Sequence, residues 1–452
     1  MAERYDVAIL GAGPGGEHAA YALSAAGHKV ALIERELIGG ECTNWACIPT
    51  KTLLRPTEVH GESSRAAGIH EASLNWPDLS EYRDYMTSAG DDSGREANYA
   101  SIGVDVVRGS GRLAGPGVID VEGTRVEADR ILISTGSAPV IPPVPGLAEA
   151  DYWTNREVTA LHDLPASVVL VGGGPVGIEL AQFLRRFKCA VTLVQGAKRL
   201  AEREDPRVSE LLEQALRADG IDVRTGTQAT RVSIDGGERV VELDDGSSVR
   251  GERLVIAVGR RPRSAGIGLE TIGVTLDPQR PGPIPIDERC HVADGVWAAG
   301  DCTGVMLFTH LAKYQARIAI ADMAGRPVAA DYRAIPRVIF TDPEVAAVGM
   351  SESQAREAGL DVAVVALDLP SGGVARTYTY ERDPRGEMTL VFDRGSRTMV
   401  GAWAVAPLAG EWIHQAVLAI RARVPYEVLV DTVPQFPSYS EAYLLALLKL
   451  EL

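Results

Sequence analysis

Cysteine is scarce in this 452-residue chain, and of its five cysteines only Cys42 and Cys47 fall close together. So sparse a set excludes a small disulfide-stapled fold. The absence of a second ligand pair beside Cys42 and Cys47 reads against a zinc site. Cys189, Cys290 and Cys302 stand apart in sequence and are expected to be buried small hydrophobes. Long apolar runs are also missing: nothing approaches about 18 uninterrupted hydrophobic residues, so no membrane insertion is expected. The opening "MAERYDVAIL" enters an apolar run without a basic leader, which points to a cytoplasmic protein. Positive charge is in deficit as well. A formal net charge of -16 repels nucleic acid and anionic membranes, so neither is expected as a partner. In a reducing compartment a close cysteine pair suggests redox chemistry.

What the chain does have is length and glycine turns. It is too long for one hydrophobic core, so two to four domains are expected. Near the N-terminus "YDVAIL", "GAGPGG", "EHAAYALSAAG" and "KVALIE" read as strand, turn, helix and strand. Gly11, Gly13, Pro14 and Gly16 form the turn. Its glycines serve a tight bend, close approach to a pyrophosphate, and close helix–strand packing. Amides at the helix N-terminus then face phosphate, and Glu34 ends the next strand, where a carboxylate accepts hydrogen bonds from a ribose diol.

The plan returns in "SVVLVGGGPVGIELAQFLRRFKCAVTLVQ", with Gly172, Gly174 and Gly177 as the turn. Here Gln195 stands in the place of the acid, so the usual bar to a ribose 2'-phosphate is missing. Lys198 and Arg199 are then either partners of that phosphate, favouring NADPH over NADH, or solvent-facing charges. Two dinucleotide units imply two dinucleotides, and hydride chemistry makes the pair FAD with NAD(P)H. Chain crossings are expected at "RILISTGSAPVIPPVPGL" and "IAVGRRPRS". The last portion mixes β-rich and helical segments without a glycine fingerprint and reads as α+β.

The ordered motifs "GAGPGG", "GGECTNWACIPTK", "STGSAP", "GGGPVGIE", "AVGRRP", "AAGDCTG" and "FTDPEVAAVG" resemble those of the class I flavoprotein disulfide reductases, a family that includes dihydrolipoamide dehydrogenase, glutathione reductase and mercuric reductase. The resemblance implies an α/β chain with two Rossmann-like domains and a C-terminal α+β dimerisation domain. Its expected limits are 1–148 with 265–330 for FAD, 149–264 for NAD(P)H, and 331–452 for the homodimer interface. It also implies that Gly40, Thr135, Gly136, Gly300 and Asp301 border the FAD, with Asp301 on the ribityl chain. The backbone at Thr309 and His310 would lie against the flavin ring. Lys51 would lie near the flavin N5 edge, paired with Glu179, and Gly259 and Arg260 would lie at the nucleotide site. Cys47 would face the flavin as the charge-transfer sulfur, and Cys42 would attack substrate. The two thiols are close enough in sequence to bridge at the opening of a helix, where the dipole favours thiolate. So short a loop gives a disulfide little stabilising effect, so its purpose is redox.

One motif departs from the family. Where His-Pro-Thr-x-x-Glu is usual, this chain reads "FPSYSE", with Phe436 in the histidine's place and Glu441 kept. Phenylalanine moves no proton, and such a base contributes about 10²–10⁴ in rate. Either Tyr439, Tyr443 or the substrate supplies the proton, or the acceptor needs none, as with a metal ion or a quinone reduced directly from the flavin. The extra C-terminal cysteine pair of mercuric reductase is absent from "LLKLEL", which argues against efficient mercury handling. Trp45, unusual in the redox loop, either shapes the acceptor pocket or simply packs. The expected activity is transfer of electrons from NAD(P)H through FAD and a Cys42–Cys47 disulfide to a disulfide or related small molecule. Glu441 and Tyr439 of one chain would border the partner's Cys42. The alternatives are a quinone or metal-ion reductase and a non-catalytic redox sensor.

Overall fold

A computed structural model describes residues 4–277, 279 and 282–452; residues 1–3 of the expected first segment lie outside them. The chain forms two compact units, each continuous in space but not in sequence.

The first unit gathers residues 1–50, 81–140 and 259–331. Its sheet is built around the strand Arg4–Leu10, flanked in parallel by Val30–Glu34 on one side and Thr124–Ile133 on the other. Val104–Arg108 extends the sheet outward from the former, and Val296–Ala298 from the latter. "VAIL" and "VALI" are apolar throughout because both faces are covered. Val7, Ile9 and Leu32 pack with Ala19, Leu23 and Ala316 on one side, while Ala8, Leu10 and Ile33 pack with Ile131 and Ile284 on the other. That is the pattern of a parallel sheet buried on both faces. The helices Pro14–Ala25 and Thr309–Met323 lie against each other.

The second unit holds residues 51–80, 141–258 and 332–452. A four-stranded parallel sheet runs Asp222–Thr225, Ala190–Gln195, Ser167–Val171, Arg253–Ile256. It repeats the glycine-turn plan, with the helix Pro175–Arg186 following Ser167–Val171. A three-stranded antiparallel sheet follows at Ala229–Asp235, Glu238–Leu243 and Ser248–Gly251. The C-terminal part carries a five-stranded antiparallel sheet, with Glu344–Gly349, Thr398–Ala406 and Glu387–Asp393 as its inner strands. Phe183 and Leu184 share a core with Val345, Trp403 and Val405, so the four-stranded parallel sheet's helix and the C-terminal sheet are packed together. Asp342 reinforces that packing, holding Arg65 at 2.7 Å, Arg186 at 2.9 Å and Arg385 at 2.9 Å. The guanidinium charges keep its carboxyl below the usual range despite burial.

Ser137–Pro139 and Arg260–Pro262 form an antiparallel ribbon, and the units part at 140/141 and 258/259, a few residues short of the expected limits. Residues 51–80, expected with FAD, cluster with the second unit. The helix Cys47–Arg65 runs on to Arg65, whose partners are Asp342 and Glu381. Among the described residues no helix is long and apolar enough to cross a membrane.

Candidate active site

The two glycine turns share one geometry. A Cβ at Gly16 would stand 2.0 Å from the Gly11 carbonyl, and one at Gly177 would stand 1.9 Å from the Gly172 carbonyl. Only glycine lets each helix come that close to its strand. At Gly13 and Gly174 a Cβ would meet nothing within 4 Å. Each turn therefore leaves open space beside the helix that follows, with Pro14 and Pro175 as its first residue. Backbone amides and a helix N-terminus facing such a space suit a pyrophosphate.

The ends of the second strands differ as their sequences do. Glu34 is buried and accepts from the Ala12 amide at 2.8 Å and the Glu36 amide at 2.8 Å. Gln195 accepts from the Gly173 amide at 2.8 Å, the same contact made by a neutral side chain, whose NH₂ remains a donor. The charges beyond it divide. Lys198 is exposed, whereas Arg199 donates to the carbonyls of Glu202 and Glu204, both at 2.8 Å, and to Ser209 Oγ. Arg199 thus ties down its own loop, and Lys198 is the cation of the two that is turned outward.

The redox stretch lies in the first unit beside the first glycine turn: a Cβ at Gly40 would stand 2.9 Å from the Gly13 Cα. Cys42 belongs to the short helix Gly40–Asn44 and Cys47 opens the helix Cys47–Arg65. Both are present as thiols. The neighbouring Cys47, together with burial, pushes the Cys42 thiol up. Cys47 Sγ lies 3.4 Å from Thr309 Oγ1, in the first turn of the helix Thr309–Met323. His310 is exposed, its ring stacked on Phe308.

Asp301 follows Gly300, whose amide donates to Gln315 Oε1 at 2.7 Å. Burial pushes the Asp301 carboxyl up, while Ser137 Oγ, donating at 2.6 Å, and the Arg260 charge pull it down. Thr135 Oγ1 donates to the Arg263 carbonyl and the Arg263 amide donates to the Gly136 carbonyl, fastening the returning chain. Gly259 has φ +133. Arg260 donates to Ser137 and pairs with Glu41, so its guanidinium is committed within the first unit.

In the second unit Lys51 Nζ lies 2.6 Å from Glu179 Oε2. Phe340, which opens the motif "FTDPEVAAVG" but was assigned no role from sequence, completes that pair: its amide donates to Glu179 Oε1 at 2.9 Å, and its ring lies 4.6 Å from Lys51 Nζ. Glu41, Ser137 and Gln315 were missed as well. Each sits inside or near a motif, but no spacing rule assigns it a partner.

Phe436 is 73% exposed, whereas Tyr439 is 5% and Tyr443 1% exposed. Tyr439 packs against Trp412 and Tyr380, and Tyr443 donates to the Trp412 carbonyl. Burial pushes both phenols up. Both are buried in the C-terminal core. Glu441 opens the last helix, with Oε2 buried and making no hydrogen bond among the described residues. No group of three metal-ligating side chains occurs among those residues.

A family model described as pyridine nucleotide-disulphide oxidoreductase matches residues 5–321, and its dimerisation domain matches residues 335–447. The chain belongs to this family. It is an FAD-dependent oxidoreductase using NAD(P)H, as the two glycine turns and the open space beside them suit. It is 36% identical to a mercuric reductase of Shigella flexneri over 94% of this chain and 77% of that protein. It is 33% identical to a dihydrolipoyl dehydrogenase of Chlorobaculum tepidum over 98% and 96%. Two solved structures share the fold over 99% of both chains, each at TM-score 0.87 and 27% identity. They are a Cu(II) complex of the HOCl-induced flavoprotein disulfide reductase RclA of Escherichia coli and LpdA of Mycobacterium tuberculosis.

Proposed function

We propose that Cys42 and Cys47 carry reducing equivalents from NAD(P)H to an acceptor by cycling between dithiol and disulfide. The observation that supports this is the placement of Cys47 Sγ 3.4 Å from Thr309 Oγ1 at a helix opening, with Cys47 near enough to Cys42 to push its thiol up. When bound, FAD supplies the two-electron link between the nicotinamide and the cysteines. Over one half-cycle NAD(P)H and a proton reduce the Cys42–Cys47 bond to two thiols and leave NAD(P)⁺. Over the other, the thiols return two electrons and two protons to a disulfide acceptor, whose S–S bond breaks as theirs re-forms. In this reading residues 1–148 with 265–330 hold FAD and residues 149–264 hold NAD(P)H. Residues 331–452 make the homodimer. Gln195 and the outward Lys198 favour NADPH.

The acceptor is the finer question, and the C-terminal motif bears on it. With an exposed Phe436 and two buried tyrosines, the motif lacks the imidazole that would move a proton. A thiophilic metal ion asks for none: two thiolates reduce two Cu(II) to Cu(I) as their disulfide forms. Mercuric reductases among the relatives and the Cu(II) complex among the solved structures agree with such an acceptor.

Cys42→Ser tests both readings. Disulfide reduction and anaerobic Cu(II) reduction, each driven by NADPH, should fall at least about 100-fold. Reduction of a quinone directly from the flavin should stay within twofold. Full disulfide or copper turnover in the variant would move the chemistry off the cysteines.

A further inference from the structure

The helix that carries Cys42, Gly40–Asn44, has five residues, too few to hold itself together. Contacts fasten it on two sides. On one, Arg95 donates to the Ile38 carbonyl at 2.9 Å and to Asn44 Oδ1 at 3.0 Å, while Asn44 donates to the carbonyls of Ile38 and Gly40. On the other, the Glu41 carboxylate faces Arg260 at 3.3 Å and Arg263 at 3.6 Å. All three side chains are largely buried, at 16%, 19% and 25% exposure. Arg260 is shared. Its Nε donates to Ser137 Oγ at 2.8 Å, and Ser137 Oγ donates to Asp301 at 2.6 Å. These contacts link two acids and two guanidiniums in one group running from the residue beside Cys42 to the aspartate expected at the flavin's ribityl chain.

We propose that Glu41 and Arg260 are positioning residues that set the redox poise of the Cys42–Cys47 pair through the balance of this buried charge. The proposal rests on the reading of that pair as a redox relay. A disulfide is neutral, whereas its reduced form gains stability as thiolate. Surplus positive charge nearby therefore favours reduction, and surplus negative charge opposes it. In a partly buried setting, removing one member changes the local net charge by one. Glu41→Gln removes one negative charge from this group; Arg260→Gln removes one positive charge. Thr309 and Lys313, which act on Cys42 from the helix Thr309–Met323, are the same in every variant.

The test uses the FAD-loaded full chain equilibrated in glutathione redox buffers, with the dithiol fraction read by alkylation and mass. Glu41→Gln should raise the equilibrium constant for reduction about tenfold, which is about 30 mV for a two-electron couple. Arg260→Gln should lower it by a similar factor, and the double variant should return close to the parent. A purely structural role would not give shifts of opposite sign. If Arg260→Gln fails to retain FAD, Arg263→Gln carries the same expected sign. Shifts in one direction for both variants, or neither beyond twofold, would overturn the charge-balance role. A parent protein with no reversible Cys42–Cys47 disulfide would instead overturn the redox reading beneath it.

Discussion

Glu344 opens the strand Glu344–Gly349 with a carboxyl pushed up to about 7 from its ordinary 4.5. Burial is the main cause, and the charges of Glu58 and Glu411 add to it; the Gly410 amide, donating at 2.8 Å, and Arg55 pull the other way. The consequence for stability has a definite sign. Between about pH 4.5 and 7 the folded chain holds a proton that the unfolded chain has lost, so stability falls as pH rises through that window. The loss amounts to roughly 3 kcal/mol at most and is complete above the folded value. Glu344→Gln keeps an acceptor for the Gly410 amide and carries no charge. Its melting temperature should exceed the parent's by a few degrees at pH 8, with the gain shrinking to a fraction of that at pH 5. An equal gain at both pH values, or none at pH 8, would show that burial of the charge is not the cost.

At the scale of elements, the glycine turns make the sharpest demand on sequence. Gly177→Ala would drive a Cβ into the Gly172 carbonyl at 1.9 Å, a backbone contact that no rotamer relieves. The variant should retain FAD at close to one per chain while NADPH-driven flavin reduction slows at least about tenfold; loss of FAD from it would contradict two independent dinucleotide sites. This constraint explains what could be read from the sequence. A turn, its helix and its two strands are adjacent in the chain, so their pattern shows in a short window, and both units were found that way. Partners distant in sequence leave no such trace. Arg199 looked available beside Lys198, yet it caps the carbonyls of its own loop. Tyr439 looked like a proton source three residues after Phe436, yet it packs into the C-terminal core. Glu41 went unread because its partners, Arg260 and Arg263, are more than two hundred residues away in sequence.

At the scale of the whole molecule, the family match assigns residues 335–447 to a dimerisation domain, and several exposed apolar side chains lie in or just past it. Leu418 is 58%, Val433 91%, Phe436 73% and Leu448 64% exposed. Leu418 and Val433 also line one groove of about 310 Å³, together with Leu429 and Leu444. Two copies that each carry a net charge of -16 repel at long range, so association has to come from burying such apolar surface. Two consequences can be measured together by light scattering. Raising salt from low to moderate concentration should tighten the dimer, because it screens repulsion and leaves the apolar contact intact. Leu418→Glu, combined with Val433→Glu, should shift the chain towards monomer without releasing FAD. If the C-terminal motif of one chain completes the acceptor site of the other, that monomer should lose acceptor turnover at least about tenfold while flavin reduction by NADPH stays within about threefold. A monomer with full turnover would place the whole acceptor site within a single chain.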